Sequence, residues 1–251
     1  MFRVAMSTFA VIGMCAAPPA MAEATLQSVK KEISKKLRKI RTLQFSHKSE
    51  RKGITELGGN TWDTLKSEKG VIRLERRDKL FVAREETTFT DKEVQRDGDH
   101  RYEGITENIL VTDEKFTWES SRTRKNEYGF GAWFNVKIRR KIDHNLLDPK
   151  VRYPRDDYDQ KLLREEDLDG RKTWVMEFTP KGDKFVTFAS KIVVWYDQAT
   201  GLEVRNVDYD ENDKPTETRV YSDFKVDEKI DPKQFEFVKL GDDPVVDHSG
   251  D

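Results

Sequence analysis

The sequence predicts an α+β protein, one amphipathic helix followed by about ten antiparallel strands, on three observations. Apolar residues recur every three or four positions near the N-terminus, short β-branched and aromatic runs fill the rest, and tight turns separate those runs. The helix comes from Leu26, Val29, Ile33, Leu37 and Ile40 within Thr25 to Arg41, which fall on one stripe. Its other face carries Lys30, Lys31, Lys35, Lys36, Arg38 and Lys39. Such a face suits an anionic membrane surface or an acidic partner, or is simply solvated.

Beyond Thr42 the helical period fades. Strands are expected at Thr42 to Lys52, Thr61 to Glu68, Val71 to Glu75, Leu80 to Thr88, Asn108 to Thr112, Phe116 to Arg122, Trp133 to Arg139, Thr173 to Thr179, Phe185 to Tyr196, Glu203 to Asp210 and Thr216 to Phe224. Turns fit between them at Gly58-Gly59-Asn60, Arg76 to Lys79, Asp113 to Lys115, Asp169-Gly170, Asp197 to Gly201 and Glu211 to Lys214. Connections this short imply an antiparallel meander, because parallel neighbours need a crossover of about a dozen residues or more. Two polar stretches read as elaborations: 89–107, and 143–166 with a short helix expected at Asp157 to Glu166. No internal repeat or Ser/Gly linker divides the chain, so residues 23–251 read as one domain.

Residues 1–22 have the three-part pattern of a secretory signal peptide: Arg3, an apolar run from Val4 to Ala17, and small residues at Ala20 and Ala22. Cleavage is expected after Ala22, giving an exported, periplasmic protein. Met14 precedes Cys15 where a lipid-attachment site takes Gly, Ala or Ser, which reads against lipidation.

The 251 residues hold 46 Lys+Arg against 47 Asp+Glu, and this balance leaves no electrostatic footprint for nucleic acid. One cysteine excludes an internal disulfide framework and a cysteine-rich zinc site. No nucleophile elbow, H-E-x-x-H pair, P-loop or dinucleotide fingerprint occurs. Asp97, Asp99 and His100 could hold a metal but are commoner as turn formers. Asp208, Asp210 and Asn212 alternate like the start of a calcium loop, yet Arg219 stands where a bidentate Glu belongs, so a hairpin turn explains them better. His47 and His144 read as ordinary surface or strand residues, and the abundant carboxylates leave a hydrolase neither supported nor excluded. No catalytic residue, metal or cofactor is assigned.

What remains is an apolar surface. Phe116 and Trp118, Trp174 with Met176 and Phe178, and Val193 with Trp195 alternate with smaller or polar neighbours. A curved sheet with inward aromatics binds an apolar ligand unless its own core fills it.

Several segments together resemble the LolA-type outer-membrane lipoprotein carriers of the LolA/LolB-like superfamily. They are Trp195-Tyr196-Asp197 with Gly201-Leu202, the hairpin at Asp210 to Lys214, Ser222-Asp223-Phe224-Lys225, Ile230-Asp231-Pro232 and Phe235-Glu236-Phe237. Upstream stand Leu43-Gln44-Phe45, Ile109 to Asp113 before Phe116-Thr117-Trp118, and Asp169-Gly170-Arg171 leading to Thr179-Pro180-Lys181. The resemblance implies an incomplete, strongly curved antiparallel barrel of roughly ten to eleven strands, its concave apolar face covered by the N-terminal helix and short helices. It implies a monomeric periplasmic carrier that shields lipoprotein acyl chains without a cofactor, between an inner-membrane releasing complex and an outer-membrane acceptor. The expected cavity lining is Leu74, Phe81, Leu110, Phe116, Trp118, Trp174, Phe178, Val193 and Trp195, with Arg76, six positions after Gly70, as the lid latch. The chain departs from the family pattern at Arg76-Arg77, Asp113-Glu114 and Leu240-Gly241. An envelope sensor or other lipid-binding protein of the same fold, docking through the helix from Lys30 to Arg41, is the alternative. An exported hydrolase is the third reading.

Overall fold

The computed structural model describes residues 25–57, 60–78, 80–95, 101–125, 131–139, 153–154, 156–182 and 189–249. The expected signal peptide, the Asp97 to His100 loop and His144 lie outside these residues.

Helix α1 spans Leu26–Leu37. Thr25 and Ser28 cap it reciprocally: Ser28 N–H donates to Thr25 Oγ1 at 3.2 Å and Thr25 N–H to Ser28 Oγ at 3.0 Å. Lys35 and Lys36 in the last turn suit the negative end of the helix dipole.

Among the described residues, twelve strands form one curved, unclosed sheet. They are β1 (Thr42–Leu57), β2 (Asn60–Arg77), β3 (Leu80–Gln95), β4 (Arg101–Thr112), β5 (Phe116–Lys125), β6 (Phe134–Arg139), β7 (Tyr158–Leu168), β8 (Arg171–Pro180), β9 (Lys191–Asp197), β10 (Glu203–Tyr209), β11 (Pro215–Val226) and β12 (Val245–His248). The order is β12-β6-β5-β4-β3-β2-β1-β11-β10-β9-β8-β7, so two meanders join where β1 pairs with β11. All neighbours are antiparallel except β12 and β6, which run parallel.

Several expectations change. Thr61 to Glu68 and Val71 to Glu75 belong to the single strand β2, because Gly70 pairs in register with His47 and no turn intervenes. The first polar stretch is largely strand, since β3 and β4 continue their pairing as far as Val94 and Arg101. Asp157 to Glu166 is no helix: Tyr158–Leu168 forms β7, an edge strand whose charge points to solvent and whose register shifts between Leu162 and Arg164. Among the described residues the only helical cover besides α1 is a 3-10 turn at Pro232–Phe235.

Expected turns recur with identifiable chemistry. Asp113 Oδ1 accepts from the N–H groups of Lys115 and Phe116, and Asp210 Oδ1 accepts from those of Asn212 and Lys214. The Asp208 to Asn212 run is therefore hairpin geometry.

The main core lies where α1 crosses the sheet. Val29, Ile33, Leu37 and Ile40 pack with Leu43, Phe45, Leu74 and Phe81 from one meander and Trp174, Met176, Phe178, Val194 and Tyr196 from the other. A second cluster of Val175, Val193, Trp195, Val204 and Val207 occupies the opposite face of β8–β10.

The opposite face of β3–β6 is covered by the segment that follows β11. Phe235 is buried, Phe237 stacks on Trp118 with ring centroids 5.8 Å apart, and the wholly buried Asn135 donates to the Leu240 carbonyl at 3.0 Å. Ser120 Oγ donates to Asn135 Oδ1 at 2.6 Å, tying this strap to β5 and β6.

Candidate functional site

Register assigns the faces. Leu43, Leu74, Ala83, Thr112, Thr117 and Ile138 form one cross-strand row from β1 to β6, and Ile72, Glu85, Leu110, Glu119 and Val136 form the next. Because Leu43 and Leu74 pack against α1, both rows belong to the helix face. The helix covers their β1–β3 end. Toward β6 the same face is open, with Phe134 56% and Ile138 42% exposed and Leu110 and Val136 half-buried.

Arg76 fastens α1 to the sheet. Its Nε donates to the Ile40 carbonyl at 3.0 Å and its Nη2 to the Leu37 carbonyl at 3.2 Å, while its backbone N–H donates to the Arg41 carbonyl at 2.7 Å. Leu37 ends the helix and its carbonyl also accepts from the Ile40 N–H at 3.3 Å, and a planar guanidinium can serve two helix-end oxygens at once. The guanidinium also lies 4.3 Å from the Phe81 ring centroid. Burial lowers the Arg76 pKa from its ordinary value, which still leaves the group charged.

The expected lining residues divide between the two faces. Leu74, Phe81, Trp174 and Phe178 lie in the helix-face core, and Leu110 lies on that face beyond the helix. Val193 and Trp195 do not join them: they belong to the opposite-face cluster, since β9 turns Ile192, Val194 and Tyr196 toward the helix. There Trp195 Nε1 donates to Glu166 and so holds that carboxyl below its usual value. Phe116 and Trp118 also point away from the helix, Trp118 pairing in register with Val111 and stacking under Phe237. Both faces of the sheet carry covered apolar residues, so bulk and apolarity alone do not distinguish them. Phe134, Val136 and Ile138 are the helix-face residues that the sequence reading missed; their alternation in the β6 run was the available signal.

The basic face of α1 is only partly outward. Lys30 is buried and donates to Gln160, and Lys36 donates to the Gln198 carbonyl and sits 5.2 Å from the Trp174 ring centroid. Lys31, Lys35, Arg38 and Lys39 are exposed.

Past the apolar core, on the same face, lies a polar pit. His47 from β1, Glu68 from β2 and Glu85 from β3 bring ligand-capable atoms within 4.8 Å of one another. The His47 side chain is only 3% exposed, its Nδ1 3.6 Å from Glu68 Oε1, and its Nε2 has no hydrogen-bond partner. Burial lowers the His47 pKa; Glu68 and Glu85 pull the other way. His47 is thus a buried strand residue rather than a surface one. The signal for it was Gly70, a glycine inside a strand, where a Cβ would approach His47 Nε2 to 2.5 Å.

A cavity of ≈ 610 Å³ is bordered by Lys48, Lys69, Glu86, Glu107 and Ile109, whose strand positions alternate with those of the helix face, and by Trp133 just before β6.

A family model described as an uncharacterized protein matches residues 148–242. No curated protein matches the chain. Among solved structures, an uncharacterized conserved protein from Thermus thermophilus aligns at 13% identity and TM-score 0.48, over 88% of this chain and 98% of that one. A LolA superfamily protein from Nitrosomonas europaea aligns at 12% identity and TM-score 0.28, over 85% of this chain and 98% of that one. The chain resembles LolA-superfamily structures. The MucA/MucB complex of Pseudomonas aeruginosa aligns at 14% identity and TM-score 0.38, with 84% of this chain on 60% of that one. Among the described residues no helix is long and apolar enough to cross a membrane.

Proposed function

We propose that this chain is a periplasmic carrier that holds acyl chains of a lipoprotein or other lipid non-covalently on the helix face of its sheet, with α1 as lid and Arg76 as latch. The observation that carries the reading is the latch geometry. Two side-chain hydrogen bonds from β2 end on the C-terminal carbonyls of a helix whose buried stripe is Val29, Ile33, Leu37 and Ile40. Moving that helix exposes Leu43, Phe45, Leu74 and Phe81, continuous with the open strip of Leu110, Phe134 and Ile138. An acyl chain then covers the apolar surface that the helix vacates, at roughly 0.8 kcal/mol per buried CH₂, so exchange needs no covalent step. The reading makes residues 23–251 the working unit, with no catalytic role, and places a releasing complex and an acceptor in the two membranes as its partners.

Native mass spectrometry of protein purified from its own envelope, followed by uptake of a fluorescent lipidated peptide, tests this. Bound acyl lipid, with uptake weakened by Leu110→Asp and Phe134→Asp but kept by Trp195→Phe, supports the carrier. An empty protein that takes up no lipidated peptide sinks it.

The exposed Lys31, Lys35, Arg38 and Lys39 favour a second reading, an envelope sensor that docks an acidic protein surface through α1. Reversing those four charges abolishes such docking while leaving lipid uptake intact.

A further inference from the structure

We propose that His47, Glu68 and Glu85 form a binding site for one divalent transition-metal ion of the zinc or manganese class, held across three adjacent strands. The proposal stands apart from lipid carriage and uses none of the apolar strip.

The three side chains share the helix face. His47 pairs with Gly70, and Gly70 with Thr87, so the middle position of this cross-strand row has no side chain. Glu68 lies two residues to one side of Gly70 on β2, and Glu85 two residues to the other side of Thr87 on β3. The imidazole occupies the space above Gly70, and the two carboxylates approach it from opposite directions. One imidazole with two carboxylates is a donor set for zinc or manganese, while calcium and magnesium favour all-oxygen sets.

The outer partners fit ligation. Glu68 Oε2 is within 3.4 Å of both Ser49 Oγ and Arg219 Nη2, while Oε1 faces His47. Glu85 Oε1 accepts from Thr87 Oγ1 at 3.1 Å, leaving its second oxygen for an ion. Hydrogen bonds of this kind orient ligating carboxylates. Arg219 does not fill the pit with its charge alone, because the same Nη2 lies closer to Glu217, at 2.9 Å.

The unpartnered Nε2 is the second, independent sign. A ring nitrogen buried without a partner is costly, and ligation of one ion gives that nitrogen a partner while Nδ1 faces Glu68. Bonds near 2.0–2.2 Å require ligand atoms somewhat closer than 4.8 Å, a change within the reach of two glutamate side chains.

The test is isothermal titration of the purified full protein, stripped with chelator, with Zn²⁺, Mn²⁺ and Co²⁺ in turn. One ion per chain is expected for at least one of them, with a rise in melting temperature and, for Co²⁺, a visible d–d absorption. Glu68→Gln and Glu85→Gln keep side-chain size and should each weaken binding about tenfold or more, with the far-ultraviolet spectrum unchanged. His47→Gln should do the same, and the two glutamate variants decide the question should it fail to fold. Absence of saturable binding for all three ions overturns the proposal. So does binding that all three variants leave unchanged, which would put the ion elsewhere on the chain.

Discussion

Arg76 donates to the carbonyl of Leu37 at 3.2 Å, so the last turn of the single α-helix described is completed by a side chain 39 positions further along. The contact spans helix and sheet.

Arg76→Met removes both side-chain donors but keeps much of the apolar stem over Phe81. Two charge-assisted hydrogen bonds and the helix-end charge interaction are worth about 2 kcal/mol together once exchange with water is allowed for. Hydrogen-exchange mass spectrometry should show faster exchange across residues 26–37 with the β8–β9 amides unchanged. Equal protection of α1 in both proteins would mean that the apolar stripe alone holds the helix.

Gly70 and Gly53 both lie in strand interiors but differ in what a Cβ would meet. At Gly70 it would lie 2.5 Å from His47 Nε2 and 2.6 Å from the Glu86 carbonyl oxygen, which is backbone and cannot swing away. At Gly53 it would meet only Thr64 Oγ1, at 2.9 Å, and a side-chain hydroxyl can turn. Gly70→Ala should therefore cost about 2 kcal/mol in urea unfolding and Gly53→Ala well under about 1 kcal/mol. Equal costs would contradict the packing.

Asn135 joins the strap to the sheet, and Asn135→Ala leaves buried Ser120 Oγ without its acceptor. A loss of about 2 kcal/mol is expected. Limited proteolysis should then cut after Val226 sooner than in the parent protein, and Trp118 fluorescence should shift red as Phe237 leaves. A strap that resists protease equally in the variant would show that Phe235 and Phe237 suffice to hold it.

Asp247, which pairs with Lys137 in the parallel ladder, has its carboxyl lowered to about 2 by the Ser249 hydroxyl, the Ser249 N–H and then Lys137. A depressed carboxylate pKa favours the folded strand above the unfolded value of 3.8, and that contribution is lost as pH falls toward about 2. Carboxyl carbon chemical shifts, followed through acid titration, should place Asp247 near about 2 and move it upward in Lys137→Met and further in Ser249→Ala. The group is exposed, so salt should narrow the difference between the variants.

The helix was legible because its stripe has an unambiguous period, and most strands because Asp, Gly and Asn mark their ends. β7 escaped because its outward positions carry Lys161, Arg164, Glu165 and Asp167, a charge density that an edge strand tolerates and a helix shares. The faces were half legible. Leu74, Phe81, Trp174 and Phe178 point to the helix, but Phe116, Trp118, Val193 and Trp195 are equally apolar because they face other covers, the strap and the second cluster. A period of two says which residues share a face and leaves open which face it is. Arg76 could be singled out only by resemblance, and His47 only through the glycine opposite it.

The parallel pairing of β12 with β6 bears on how these molecules behave when crowded. An open sheet has two rims, each a template on which a neighbouring molecule could add its own strand. Here one rim is the four-residue β12, too short to seed much pairing, and the other is the heavily charged β7. Peeling β12 away would bare β6, where Phe134 and Ile138 already meet solvent, and would turn a guarded rim into a sticky one. β12 therefore shields that rim, and clipping it should bring filaments or precipitate before the rest of the sheet comes apart.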